Sequence, residues 1–218
     1  MKSTSLKEIL VVAFLIGLPF VYLGSIYESL PATIPTHFNY KGEADGTGEK
    51  STLIVVSIFM SCVSIFTYLM VKNANKIDPK KTSQSPELLQ KIAYMIIVFL
   101  SAILLVIIQS AKTGSMKSNQ FLMPLIGLLF AGLGNFMHSI KPNYFIGLRL
   151  PWTLEDPENW RKTHQIGSKL WMLGGIIIAV CSPFMPTAAG FIFSMIVLLV
   201  MIVYPILFSY RLFKKSKA

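Results

Sequence analysis

The chain has 218 residues, 53% of them hydrophobic and 14% charged, with a mean hydropathy of +0.60. An ordinary soluble domain holds roughly 45–50% and 25% of these classes, so this composition suits lipid better than water. A formal charge of +10 raises nucleic acid as a partner, but no Lys/Arg stripe with interleaved aromatics accompanies it, and direct nucleic-acid binding is not expected.

Six apolar runs follow one another: Ile9 to Tyr27, Thr52 to Val71, Ile92 to Ala111, Phe121 to His138, Leu170 to Met185 and Phe191 to Tyr210. Each approaches the ~20 residues that a helix needs to cross some 30 Å of hydrocarbon. The expectation is an all-α, polytopic membrane protein of about six transmembrane helices in contact with lipid. The fifth run is short, ending at Ser182-Pro183, and must be completed by the polar segment before it or by Pro186 to Gly190 after it. Lys2 and Lys7 before the first run suggest a signal peptide, but the run exceeds the roughly 7–15 residues of a signal core and no Ala-x-Ala site follows, so it reads as retained.

With the N-terminus inside, 16 of the 20 Lys and Arg residues fall on the cytoplasmic side, leaving Lys41, Lys50, Lys112 and Lys117 outside. Positive residues are retained inside, so both ends are placed in the cytoplasm. Cys62 and Cys181 lie in apolar runs and read as small core residues.

The first outer loop, 28–50, reads Leu30-Pro31-Ala32-Thr33-Ile34-Pro35-Thr36-His37-Phe38-Asn39, followed by Gly42, Asp45, Gly46 and Gly48. Prolines stiffen its first half and glycines permit turns in its second, so an ordered loop is expected. His37 and Asp45, with Glu43 and Glu49 near, carry the group types used for metal binding or acid/base chemistry. The bland alternative is that both bond to the loop backbone. The ligands are too few and too irregularly spaced for a closed zinc or calcium site, and no metal or cofactor is expected. As a partner-binding surface the loop offers Pro35, His37, Phe38, Asn39, Tyr40 and Asp45.

The segment after the second run, Lys72 to Gln90, holds Pro79, Pro86 and several Ser, Asn and Lys, and reads as a mobile inner linker. In the fourth run Pro124 predicts a kink, as do Pro19 and Pro205 elsewhere. Gly127, Ala131, Gly132 and Gly134, with Gly174 and Gly175 in the fifth run, allow close helix approach. Asn135 and His138 share a helix face and are expected to point into the bundle, where an interhelical hydrogen bond would account for them.

The inner cluster continues through Pro142-Asn143-Tyr144-Phe145-Ile146-Gly147-Leu148-Arg149-Leu150-Pro151-Trp152-Thr153-Leu154. Asp156-Pro157-Glu158 reads as a helix start, after which Trp160, His164, Gly167 and Trp171 fall on one face. This helix should feed the fifth span, with its tryptophans as interfacial anchors. Arg149 is expected to clamp against Trp152 and Trp160, since a guanidinium stacks on indole.

Two stretches resemble a known family. Leu30-Pro31 with Ile34-Pro35-Thr36-His37-Phe38-Asn39, Gly42 and Asp45-Gly46 resembles the N-terminal uncharacterised membrane domain associated with the SdpI family. Gly134-Asn135, Asn143, Gly147-Leu148-Arg149-Leu150-Pro151-Trp152-Thr153-Leu154 and Trp160 resemble that family's inner signature, with Leu150 in place of its usual Thr. The resemblance implies a bacterial plasma-membrane protein organised as an N-terminal module over 1–71 and a four-helix part over 92–218, with its inner motif at 134–171. It further implies a non-enzymatic role in immunity to a secreted membrane-active peptide, acting outside, and in signalling to a cytoplasmic repressor. The alternatives are a membrane hydrolase using His37 and Asp45, which the ~30 Å of hydrocarbon between loop and inner motif weakens, and a small transporter. Transport is weakened because all ten Asp and Glu fall outside the six runs.

Overall fold

The computed structural model describes residues 5–80, 83–117 and 120–217. Helix α1 (Leu6–Ile26) ends in a 3-10 turn at Tyr27–Ser29 and leads into a hairpin of β1 (Thr33–Phe38) and β2 (Ala44–Glu49). Then follow α2 (Ser51–Lys72), a single turn α3 (Ala74–Ile77), α4 (Pro86–Thr113) and α5 (Leu122–Met137). A short α6 (Pro151–Glu155), α7 (Pro157–Cys181) and α8 (Thr187–Ser216) complete the chain.

Helices α1, α2, α4, α7 and α8 are each long and apolar enough to cross a membrane, and α5 is a shorter apolar helix of 16 residues. At about 1.5 Å per residue α5 covers ~24 Å, close to the hydrocarbon thickness. The expected all-α membrane architecture is therefore present. One side of it is held together by α4, which packs on α1 and α2 as well as on α5. The other is α5, α7 and α8, with α7 in the middle.

The α5–α7 seam is built on the predicted small residues. A Cβ placed on Gly127 would lie 2.5 Å from the Gly175 carbonyl oxygen, and one on Gly175 would lie 2.4 Å from that of Gly127. Ser168 Oγ donates to the Gly134 carbonyl at 2.7 Å, the kind of interhelical bond that lipid favours. Gly174 faces Met201 of α8 and Gly132 faces Met95 of α4.

Several expectations are corrected. The fifth span is completed from its N-terminal side, because α7 runs unbroken from Pro157, capped by Asp156 Oδ1 accepting from the backbone of Glu158 and Asn159 at 2.8 and 3.1 Å. Pro124 is the third residue of α5, where the missing N–H costs no helical bond, so it does not interrupt a helix interior. Cys62 is exposed on α2 rather than in the core. The inner linker is pinned: Asn75 and Gln84 exchange two hydrogen bonds of 2.8 Å, and Gln84 exchanges two more with the Lys141 backbone at 2.8 and 3.0 Å. An acid is buried in the helices after all. Glu8 of α1 accepts from Tyr68 and from Lys72 Nζ of α2; the lysine offsets its charge, and the two bonds tie the helices together.

Candidate functional site

The outer end is organised by the hairpin, whose strands pair antiparallel with irregular register around His37. The sequence does not announce the second strand, since Ala44–Glu49 has no apolar alternation; it is drawn out by pairing with β1. Ile34 is its anchor, buried among Leu23, Ile26, Leu30, Leu53 and Leu104. Pro35 pairs with Thr47, which a two-stranded sheet tolerates because each strand is an edge.

At the turn, Asn39 Oδ1 accepts from the backbone of Lys41 and Glu43 at 2.9 and 3.1 Å, and its amide donates to the Glu43 carboxylate at 3.0 Å. His37 Nδ1 and Asp45 Oδ1 pair directly with each other rather than with the backbone, and both are exposed, at 73% and 44% of the side chain. Phe38 is half-buried and Tyr40 exposed. Among the described residues no three His, Cys, Asp or Glu side chains gather into a metal-holding group.

The turn rests on the α4–α5 loop. Gly42, at φ +83°, accepts from the Met116 N–H at 3.0 Å, and Glu43 bridges to Ser115. A Cβ on Gly42 would come within 2.1 Å of the Met116 carbonyl oxygen, so only glycine fits this junction. Directly beside it is a cavity of ≈ 630 Å³ between α1, α4 and that loop. Leu105, Val106 and Phe121 supply apolar walls, Tyr22 and Gln109 a hydrogen-bonded polar pair, and Lys117 a cation. A volume in the range of small-ligand pockets, mostly apolar with a few polar groups, suits an apolar guest. No sequence pattern marks this cavity, because its walls come from segments far apart in the chain, Tyr22 and Gln109 being 87 residues apart.

At the inner end the motif folds into a fully bonded plug. Asn143 is buried and uses all its capacity: its amide donates to the carbonyls of Lys141 and Ile146 at 2.8 and 3.0 Å, and its oxygen accepts from Phe145 and Ile146 at 2.8 and 2.7 Å. Trp160, 2% exposed, donates to the Ile140 carbonyl at 2.7 Å. It is therefore a core residue and not an interfacial anchor. His164 stacks on it and bonds through Nδ1 to the Trp160 carbonyl at 2.8 Å, while Nε2 accepts from the Leu148 N–H at 3.1 Å. Gly147, at φ +111°, lets the loop pass against that ring, where a Cβ would lie 2.4 Å from Nε2.

Pro151 begins α6, and Trp152 turns away toward α8, donating to Ser209 Oγ at 2.6 Å and packing on Tyr210 and Phe213. Arg149 is exposed and donates to the Tyr144 carbonyl. The expected clamp of Arg149 on Trp152 and Trp160 is thus not formed; His164 occupies the place beside Trp160. Asn135 and His138 are also corrected, being exposed at the outside of the last turn of α5 instead of pointing into the bundle.

Comparison with known proteins agrees with the first stretch of resemblance and with the second from Asn143 onward. Residues 139–209 match the SdpI/YfhL protein family and residues 14–61 match a domain of unknown function, DUF1648. Immunity protein SdpI of Bacillus subtilis (strain 168) is 26% identical over 211 residues, covering 96% of this chain and 98% of that protein. No solved structure matches. With its apolar helices and these similarities, the chain is a multi-pass plasma-membrane protein.

Proposed function

We propose that this membrane protein, similar to SdpI, is an immunity protein that protects its cell by holding a secreted, membrane-active peptide at the outer leaflet. The observation that carries the reading is the ≈ 630 Å³ apolar cavity beside the rigidly docked hairpin. An apolar peptide segment would enter it from the lipid side, with Leu105, Val106 and Phe121 burying its side chains. In hydrocarbon an unsatisfied peptide N–H or C=O costs several kcal/mol; Tyr22 and Gln109 can exchange their mutual bond for bonds to the guest backbone. The hairpin edge around His37, Phe38 and Asn39 would contact the part of the peptide that remains in water. Its pre-shaped turn lowers the ordering cost of binding.

The N-terminal module 1–71 supplies the hairpin and one cavity wall in this reading, and the 92–218 part supplies the rest. Tyr144 and Arg149, exposed at the inner end beside Lys80, are the proposed contact for a cytoplasmic repressor. No catalytic step is assigned to the chain. The His37–Asp45 pair is the arrangement that favours the hydrolase alternative, and stoichiometric metal lost in His37→Ala would support it.

The test is protection of peptide-sensitive cells. Leu105→Trp, which fills the cavity, should abolish protection while membrane abundance stays at the parent level. Full protection by an abundant Leu105→Trp variant would contradict the proposal.

A further inference from the structure

A second cavity, of ≈ 590 Å³, opens at the inner end of the α4–α5 seam. Ser83, Lys91, Asn135, Phe136, His138 and Lys141 line it. Its position follows from the Lys/Arg distribution: it lies where the inner-leaflet headgroups meet the hydrocarbon.

Asn135 and His138 stand out here. Asn135 occupies the last turn of an otherwise apolar membrane helix and His138 its C-cap, and both are exposed and line this cavity, so packing within the bundle does not account for them. His138 Nε2 lies 3.1 Å from Ser139 Oγ, while the exposed Asn135 amide and the other ring nitrogen of His138 are placed to meet polar groups at headgroup depth. Among the described residues the lining cations are Lys91 and Lys141; Lys141 Nζ gives one bond to the Ser83 carbonyl at 3.0 Å and has further protons to donate. The one acid in the lining, Glu87, accepts from Ser85 Oγ at 2.7 Å. Phe136 and Leu88 form the apolar part of the wall, against which acyl chains can lie.

The site is also preformed. The two hydrogen bonds between the Gln84 side chain and the Lys141 backbone join the segment before α4 to the segment after α5 across the cavity's edge, so little ordering is needed when a ligand enters. Basic pockets between membrane helices on the cytoplasmic side are suited to anionic headgroups.

We infer that this cavity binds the phosphodiester headgroup of an anionic glycerophospholipid from the inner leaflet, with Lys91, His138 and Asn135 around the phosphate and Lys141 at its rim. The site is independent of the outer cavity and of the immunity reading.

The test uses the full-length protein in nanodiscs of phosphatidylcholine with increasing phosphatidylglycerol, read by melting temperature and by native mass spectrometry of retained lipid. Phosphatidylglycerol should raise the melting temperature and remain bound. The Lys91→Gln, His138→Gln double variant should bind it about tenfold more weakly. Lys214→Gln with Lys215→Gln removes two cations from the same membrane face, outside the cavity, and should leave binding unchanged. Equal losses in both double variants would reduce the effect to diffuse surface charge and overturn the inference. Stabilisation by inorganic phosphate alone, to the same degree as by the lipid, would overturn the lipid as the source of the anion. Should the cavity variant be unstable, Asn135→Leu, at an exposed position, provides the same comparison.

Discussion

Replacing Gly175 by alanine tests the packing that sets the C-terminal half of the bundle. The added Cβ would sit 2.4 Å from the Gly127 carbonyl oxygen and 2.5 Å from the Ala131 nitrogen. Non-bonded heavy atoms rest near 3.5 Å, so α5 and α7 must separate by about 1 Å. Both obstacles are backbone atoms and cannot change rotamer, which puts the cost at the top of the overpacking range, ~3 kcal/mol. That is about a 100-fold change in the folded fraction, and a fall of roughly 6–12 °C in melting temperature for a chain of this size. The assay is thermal melting of detergent-solubilised, fluorescently tagged protein by size-exclusion chromatography. Gly24→Ala is the control, since nothing lies within 4 Å of a Cβ there and the change improves helix propensity. Because Gly127 faces Gly175 reciprocally, the Gly127→Ala, Gly175→Ala pair should cost less than the sum of its members. A Gly175→Ala protein melting within about 2 °C of the parent would refute a backbone-contact seam.

Three further outcomes follow from named contacts. Gly42→Ala should detach the hairpin turn from the α4–α5 loop, giving faster protease cleavage near residue 42 with the helical bundle retained by circular dichroism. Asn143→Ala removes four hydrogen bonds from a buried site and should destabilise by ~2–4 kcal/mol, measured as lost membrane abundance and a lower melting temperature. Arg149→Lys, at an exposed side chain with one carbonyl partner, should change stability by no more than ~0.5 kcal/mol; a large loss of folded protein would restore the clamp.

What the sequence disclosed was what periodicity and residue size encode. Gly127, Gly134, Gly174 and Gly175 were recognisable as contact residues because lipid-embedded helices need small side chains to approach. The Asp156-Pro157 start of α7 was legible because capping is local. The Trp160–His164–Gly167 face was legible too, but not its role, because the partners that bury it, Ile140 and Gly147 with Leu148, lie in a loop whose path no local rule fixes. The same limit applies to Glu8, whose partners are 60 and 64 residues away. The general scarcity of polar groups facing lipid places Asn135 and His138 in the interior, a rule that fails at the headgroup boundary. The outer cavity left no trace in the sequence, since apolar residues that line a void and those that fill a core look alike.

The central claim, that the outer cavity holds an apolar peptide, is tested most directly by photocrosslinking in intact cells. A photoreactive residue at position 109 or 121 should crosslink an added membrane-active peptide, with Leu105→Trp suppressing the product and a probe at position 149 giving none. Equal crosslinking from positions 109 and 149, or a product undiminished by Leu105→Trp, would contradict the account.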